Sequence, residues 1–257
     1  MSYFDAVFLG LIQGLTEFLP VSSSGHLVLV EHILKVKLPG VVFELVVHFG
    51  TLVAVLIYFR RKILLLIRSI FDRSLASQRR MILFLVLGTL PAVAVALLFE
   101  EMVECAFSSP AMTSAMLIAT GLLLLGAAAS RRNGRAVGFG SSLLIGLAQA
   151  LAILPGISRS GATISVGMLA GVRPLAAAEF SFLLSIPAIA GAIVFKIKDI
   201  LTVDTSLVGQ YVVGAMTAFF SGVLAVYLLL SVIKKGKFQY FGIYCLIAGV
   251  FGIIYFA

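Results

Sequence analysis

This 257-residue sequence has little charge: 12% of its residues are charged, against 61% hydrophobic. A soluble core does not carry that composition; a polytopic membrane protein does. Cysteine is scarcer still, with Cys105 and Cys245 far apart. The pair makes neither a metal spacing nor a disulfide framework, so both read as packed or lipid-facing side chains. No basic run opens the amino terminus. Asp5 stands there, and the apolar stretch behind it leads straight into polar residues, which is not the form of a cleaved signal peptide. Walker and kinase signatures are missing, which leaves no ATP site. No histidine follows His48. The net charge is +8, yet the basic residues sit in short loops. They are topology signals and not a nucleic-acid surface.

What is there begins at Glu17-Phe18-Leu19-Pro20-Val21-Ser22-Ser23-Ser24-Gly25-His26. Ten residues collect a carboxylate, a proline break, three hydroxyls, a glycine and an imidazole. So many polar groups at one membrane depth mark a functional site. Residues 4–18 have helical spacing and make a helix of roughly 22 Å, short of the ~30 Å hydrocarbon core. Pro20 disfavours helix at Leu19, and the serines offer caps to a second short helix over 25–34. Two short helices around a polar break predict a re-entrant hairpin; a single kinked span is the competing reading.

Full-length spans are expected at 41–59, 81–99 and 111–130. A basic loop at 60–80, with room for a short amphipathic helix, separates the first two. An acidic loop with Glu100, Glu101 and Glu104 separates the next two. Then the pattern restarts. Residues 9–15 match 145–151, and Val21-Ser22-Ser23-Ser24-Gly25 matches Ile157-Ser158-Arg159-Ser160-Gly161 at the same offset. A second hairpin over 138–172 is followed by spans at 176–195, 208–232 and 238–257. The expected fold is therefore one all-α integral-membrane domain over 1–257. It is built from two repeats, about 1–132 and 133–257, each a re-entrant hairpin plus three spans. Three is odd, so the repeats are inverted. Fourteen basic residues then fall on one side and Lys35, Lys37, Lys196 and Lys198 on the other. That bias puts both termini outside.

The second break carries Arg159 among Ser158, Ser160, Gly161 and Thr163. Its guanidinium stays charged and presents a planar fork suited to phosphate. The competing role is a buried ion pair with Glu17 or Glu179. Both breaks aim a helix amino terminus inward, so two such termini and one arginine make a polyanion site. Gln13 and Glu17 share a helix face, and a carboxylate beside phosphate suits a divalent cation such as Mg²⁺ or Ca²⁺. Ser22, Ser23 and Ser24 are hydroxyl nucleophiles, with His26 a nearby acid or base. Together these residues suggest phosphoryl transfer to water. Glu44 and His48 share a face of the first span, with Glu179 at the echo position in the other half. All three are expected to brace the hairpin loops.

Residues 13–26 and 155–163 closely resemble the two motifs of the undecaprenyl-pyrophosphate phosphatases, bacterial integral-membrane enzymes linked to bacitracin resistance. The resemblance covers essentially the whole chain. It implies hydrolysis of undecaprenyl diphosphate to the monophosphate carrier at the outer face of the cytoplasmic membrane, recycling lipid for peptidoglycan synthesis. It also implies six spans, two re-entrant hairpins and a homodimer. Glu17, Ser23, His26 and Arg159 match the family's catalytic set. Ser22, Ser24, Ser158, Ser160 and Thr163 match its pyrophosphate-binding hydroxyls, with Gly25 and Gly161 beside them. One position departs: the first acid of the paired acidic motif is Gln13 here, so the cation would have one carboxylate and an amide carbonyl.

Two rivals are weighed against this. In the acid-phosphatase-like lipid phosphatases a histidine follows the Ser-Arg pair six residues after the arginine; here that position is Ser165. A lipid flippase or transporter shares the inverted-repeat logic but needs no nucleophile, imidazole and arginine at one depth.

Overall fold

The computed structural model describes residues 1–34, 41–99, 106, 109–130, 134–195 and 205–256. Several residues used above lie outside them: Lys35, Lys37, Glu100, Glu101, Glu104, Cys105, Arg131, Arg132, Lys196 and Lys198. Among the described residues there are eleven α-helices and no strand, as an all-α membrane protein requires.

α1 (Tyr3–Phe18) opens on a capping box. Ser2 Oγ accepts from the Asp5 amide at 3.1 Å, and the Asp5 carboxylate accepts from the Ser2 amide at 2.8 Å. It stops where proline dictates: Leu19 is extended, with ψ 142°. α2 (Ser23–Leu34) then turns back, and its Leu27 packs in one cluster with Ala6 and Leu9 of α1. α7 (Phe139–Leu151) and α8 (Arg159–Leu169) repeat the reversal. The mouth of that second hairpin is closed by backbone bonds, from the Arg135 amide to the Gly171 carbonyl and from the Arg173 amide to the Arg135 carbonyl. At both breaks the chain turns back on itself, as the hairpin reading expects.

Among the described residues five helices are long and apolar enough to cross a membrane: α5 (Ala76–Leu98), α6 (Pro110–Ala129), α9 (Pro174–Phe195), α10 (Val208–Lys234) and α11 (Gln239–Phe256). α3 (Val41–Tyr58) and α4 (Arg60–Phe71), bent by 76° from each other, pass the same test only as a pair, which makes up to six. The bend suits an amphipathic α4 lying along a surface. Asp72 then accepts from both the amide and the hydroxyl of Ser74, which holds its carboxyl below the usual carboxylate range. α5 starts earlier than its apolar run. Arg79 donates to the Ser69 and Asp72 carbonyls, which ties this polar first turn to α4.

The halves exchange partners. α1 lies along α10, α7 lies along α5, and α6 pairs with α11. Glycines mark each crossing, because lipid offers no hydrophobic drive and close backbone packing must replace it. A Cβ on Gly10 would stand 2.5 Å from the Gly214 carbonyl oxygen, and one on Gly146 would stand 2.7 Å from that of Gly88. Gly121 and Gly242 face each other's carbonyls, at 2.8 and 3.0 Å. The main apolar cluster joins Phe18, Phe59, Ile164, Phe182 and Leu229 under the two breaks, with Phe18 edge-on to Phe182 at 5.7 Å. Cys245 is packed, with its thiol on the Pro20 carbonyl at 3.4 Å.

Candidate active site

The two breaks carry the same cap. Ser22 Oγ accepts from the Gly25 amide at 3.2 Å, and Ser158 Oγ accepts from the Gly161 amide at 3.1 Å. In each, the capping hydroxyl also faces the serine two residues on: Ser22 with Ser24 at 3.4 Å, Ser158 with Ser160 at 3.3 Å. The breaks touch. Ser160 Oγ donates to the Leu19 carbonyl at 3.2 Å, and a Cβ on Gly25 would meet the Gly156 Cα at 3.1 Å. Two short helices therefore start side by side, with their free amide ends aimed at one place.

Glu17 is the hub. Its buried carboxylate accepts from the Arg159 guanidinium, from Ser23 Oγ at 2.9 Å and from Gln13 Nε2 at 3.0 Å. His48 Nε2 lies 3.6 Å from the same Oε2. The His48 ring is oriented from behind, because Nδ1 donates to the Glu44 carbonyl at 2.7 Å and so leaves Nε2 toward the carboxylate. A cavity of about 320 Å³ lies over this cluster. It is lined by Glu17, Ser22, Ser23, Ser24, His48, Ser158 and Arg159, with Thr16 and apolar residues of the second break and of α9 completing the wall.

The other residues singled out from the sequence stand around it. Gln13 sits behind Glu17. Glu44 borders a small space that Gln13 also lines. Ser160 is engaged with Leu19, and Thr163 Oγ1 is engaged with the Arg159 carbonyl and, at 2.6 Å, with Ser181. Gly25 and Gly161 contribute their amides to the serine caps. His26, expected as a nearby acid or base, has both ring nitrogens engaged. Its Nδ1 donates to the Ser22 carbonyl at 2.8 Å, and its Nε2 accepts from the Tyr244 hydroxyl at 2.6 Å, with the two rings stacked 5.6 Å apart. Glu179 does not brace the hairpins at all. It pairs with Lys62 at the other end of α9, so the expected echo of Glu44 is corrected: α4 delivers an ammonium within its reach. Arg159 takes the Glu17 partner. Tyr244 had no local signal, since nothing around it in an apolar helix marks it out.

A divalent cation can be tested against these donors. Among the described residues no three His, Cys, Asp or Glu side chains stand together as a metal cluster. The available set is the Glu17 carboxylate and the Gln13 amide, whose Oε1 is buried without a hydrogen-bond partner. An orphaned carbonyl oxygen beside a carboxylate fits Mg²⁺, which is commonly held by one or two protein oxygens plus substrate phosphates.

The sequence profile described as Bacitracin resistance protein BacA matches residues 6–251. The chain is 38% identical to the undecaprenyl-diphosphatase of Desulforapulum autotrophicum, over 99% of this chain and 98% of the relative. It is 41% identical to that of Syntrophotalea carbinolica, over 97% of each. It is 42% identical to that of Carboxydothermus hydrogenoformans, over 97% of this chain and 96% of the relative. A match of this extent, on a fold whose two motifs converge on one carboxylate, makes this chain a member of the BacA family.

Proposed function

We propose that this protein hydrolyses undecaprenyl diphosphate to undecaprenyl phosphate and inorganic phosphate, at the outer face of the bacterial cytoplasmic membrane. The reaction recycles the lipid carrier for peptidoglycan synthesis and confers bacitracin resistance. The observation that carries the reading is the Ser23 hydroxyl donating to buried Glu17 while Arg159 holds the same carboxylate.

Ser23 is the nucleophile. Glu17 accepts its proton as Oγ attacks the terminal phosphorus. The bridging P–O bond breaks, the lipid monophosphate leaves on that oxygen, and water then cleaves the serine phosphoester to release phosphate. Arg159 is clasped by Glu17 at rest. An arriving diphosphate offers its planar fork two oxygens, and the guanidinium with the two helix starts stabilises the charge that develops. His48 stands where it can exchange a proton with Glu17. His26, with both ring nitrogens engaged, holds the first break in shape. A divalent cation held by Glu17 and Gln13 would neutralise charge on the diphosphate.

The exchanged packing of α1 on α10 and α7 on α5, and the reciprocal Gly121–Gly242 contact, support an inverted repeat; the excess of basic residues on one side supports both termini outside. A cysteine at Ser77 is expected to resist impermeant thiol reagents in intact cells, and one within 100–109 to react. The opposite pattern overturns the orientation. Purified protein in detergent is expected to release phosphate from undecaprenyl diphosphate. Movement of the lipid between leaflets with no phosphate release would make it a flippase.

A further inference from the structure

The polar cavity has an apolar annex of about 410 Å³. It runs between the carboxyl-terminal halves of α5 and α9 and is lined by Ala92, Ala96, Pro187, Gly191 and Phe195. Its inner end is Arg159, and both spaces also share Ala152, Ile153, Ala188 and Ala192. A charged fork thus stands at the junction of a polar chamber and a hydrocarbon-lined one. Nothing in the chemistry of phosphate calls for the second.

Among the described residues the first half shows no equivalent. Its counterpart would lie between α10 and α3, and that seam is closed. A Cβ on Gly50 would stand 2.4 Å from the Ala215 carbonyl, and one on Gly214 would stand 2.6 Å from the Phe43 ring. α10 buries ten residues, from Tyr211 to Ile233; α5 buries Gly88 alone among its described residues. The apolar groove that α10 does present, along Leu11, Met216 and Phe220, has no polar lining from either break.

We propose that the α5–α9 cleft is the binding site for the proximal, isoprenoid part of the lipid tail. The diphosphate sits on the Arg159 side of the junction, and the rest of the tail leaves sideways into the bilayer. The occupant is argued from continuity: a ligand with a diphosphate head in the polar chamber has this cleft as its adjoining apolar space. Its size is that of a small-ligand pocket, so it takes the first units of a long chain and cannot enclose the whole. The proposal rests on the phosphatase reading above for the identity of the head group.

Gly191 is the place to test it, since a Cβ there meets nothing within 4 Å and a larger side chain has room without disturbing the helix packing. Gly191→Phe is expected to raise KM for a long-chain prenyl diphosphate by about tenfold, the scale of losing a few buried methylenes. It should leave kcat near the parent and affect a diphosphate with one or two prenyl units far less. Met216→Phe, in the α10 groove, is expected to change neither. In parallel, a prenyl diphosphate carrying a diazirine near its head is crosslinked to Ser23→Ala protein, which binds without turning over. Labelled peptides are expected from Ala76–Leu98 and Pro174–Phe195. Equal effects of Gly191→Phe on long and short substrates, or labelling confined to α1 and α10, would overturn the cleft as the tail site. Crosslinking to α5 and α9 by a parent that releases no phosphate would sink the phosphatase reading and leave the cleft standing.

Discussion

The breaks at 19–22 and 152–158 share a serine cap and differ in how each backbone is held open. In the second, Gly156 takes φ +91°, a conformation glycine adopts freely. Thr120 reaches in from α6, donating to the Gly156 carbonyl at 2.9 Å and accepting from the Ser158 amide at 3.1 Å. In the first, the left-handed residue is Ser22, at φ +68°. That costs a residue with a Cβ ~1–2 kcal/mol. Its carbonyl is held by the His26 amide at 3.1 Å and by the His26 ring, which Tyr244 clasps in turn. One break is a relaxed glycine turn braced from a neighbouring helix; the other is a strained turn held by its own imidazole. The strained one presents the hydroxyl and the carboxylate, and the relaxed one presents the arginine. Backbone strain of this kind clusters at functional sites.

Ser23→Ala breaks this division of labour most completely. It removes the hydroxyl from the strained break, and phosphate release is expected to fall to background with folding intact. A stable, active Ser23→Ala would place the nucleophile elsewhere. Gly156→Ala attacks the relaxed break. Its Cβ would sit 2.1 Å from the Thr113 carbonyl oxygen, on a φ that L-residues avoid, so detergent-extracted protein is expected to aggregate on size exclusion. Ser22→Gly, by contrast, suits its backbone and should keep a monodisperse peak. A reversed ranking would mean that Ser22, not Gly156, is the structural keystone.

Arg159→Lys keeps the charge and loses the fork. A loss of about 2–4 kcal/mol in transition-state stabilisation is expected, measured as kcat/KM. Rates within a few-fold of the parent would make the Glu17 ion pair purely structural. The two histidines separate last. His26→Gln is expected to lower the rate alike across pH 5 to 9, because it loosens the Ser22 turn, and Tyr244→Phe should reproduce part of that loss. His48→Gln is expected to cost only a few-fold, as its 3.6 Å separation from Glu17 implies. A flattened limb of the pH profile in His26→Gln would return the proton-carrying role to His26.

Much of the architecture is legible in the residues. Low charge and long apolar runs specify membrane helices, since a buried backbone in lipid must satisfy itself. Pro20 and Pro155 with the serine clusters mark where short helices stop and restart, and the described boundaries fall within a few residues of those expected. The duplicated Ser-Gly pattern places matching caps at Ser22 and Ser158 because capping is local: the hydroxyl and the amide it receives are three residues apart. Local chemistry of this kind reaches no further than one turn. Which groups meet across the fold depends on helix rotation and crossing, which no short window encodes. His26 lies three residues after Ser23, yet its ring turns to Tyr244, 218 residues away in sequence. His48, expected to brace a loop, comes to the carboxylate itself. Glu179 is carried off to Lys62 because α4 folds back by 76° at the end of α3. The unequal packing of α5 and α10 was equally hidden, since both are apolar helices of similar composition. Close approach along α10 follows from glycines at Gly214 and Gly222 meeting Phe43, Phe18 and Ala54, side chains supplied by other helices. Helices and caps arise from forces within a few residues, whereas the meeting of Arg159 with Glu17 and the gap between α5 and α9 arise from how finished helices pack.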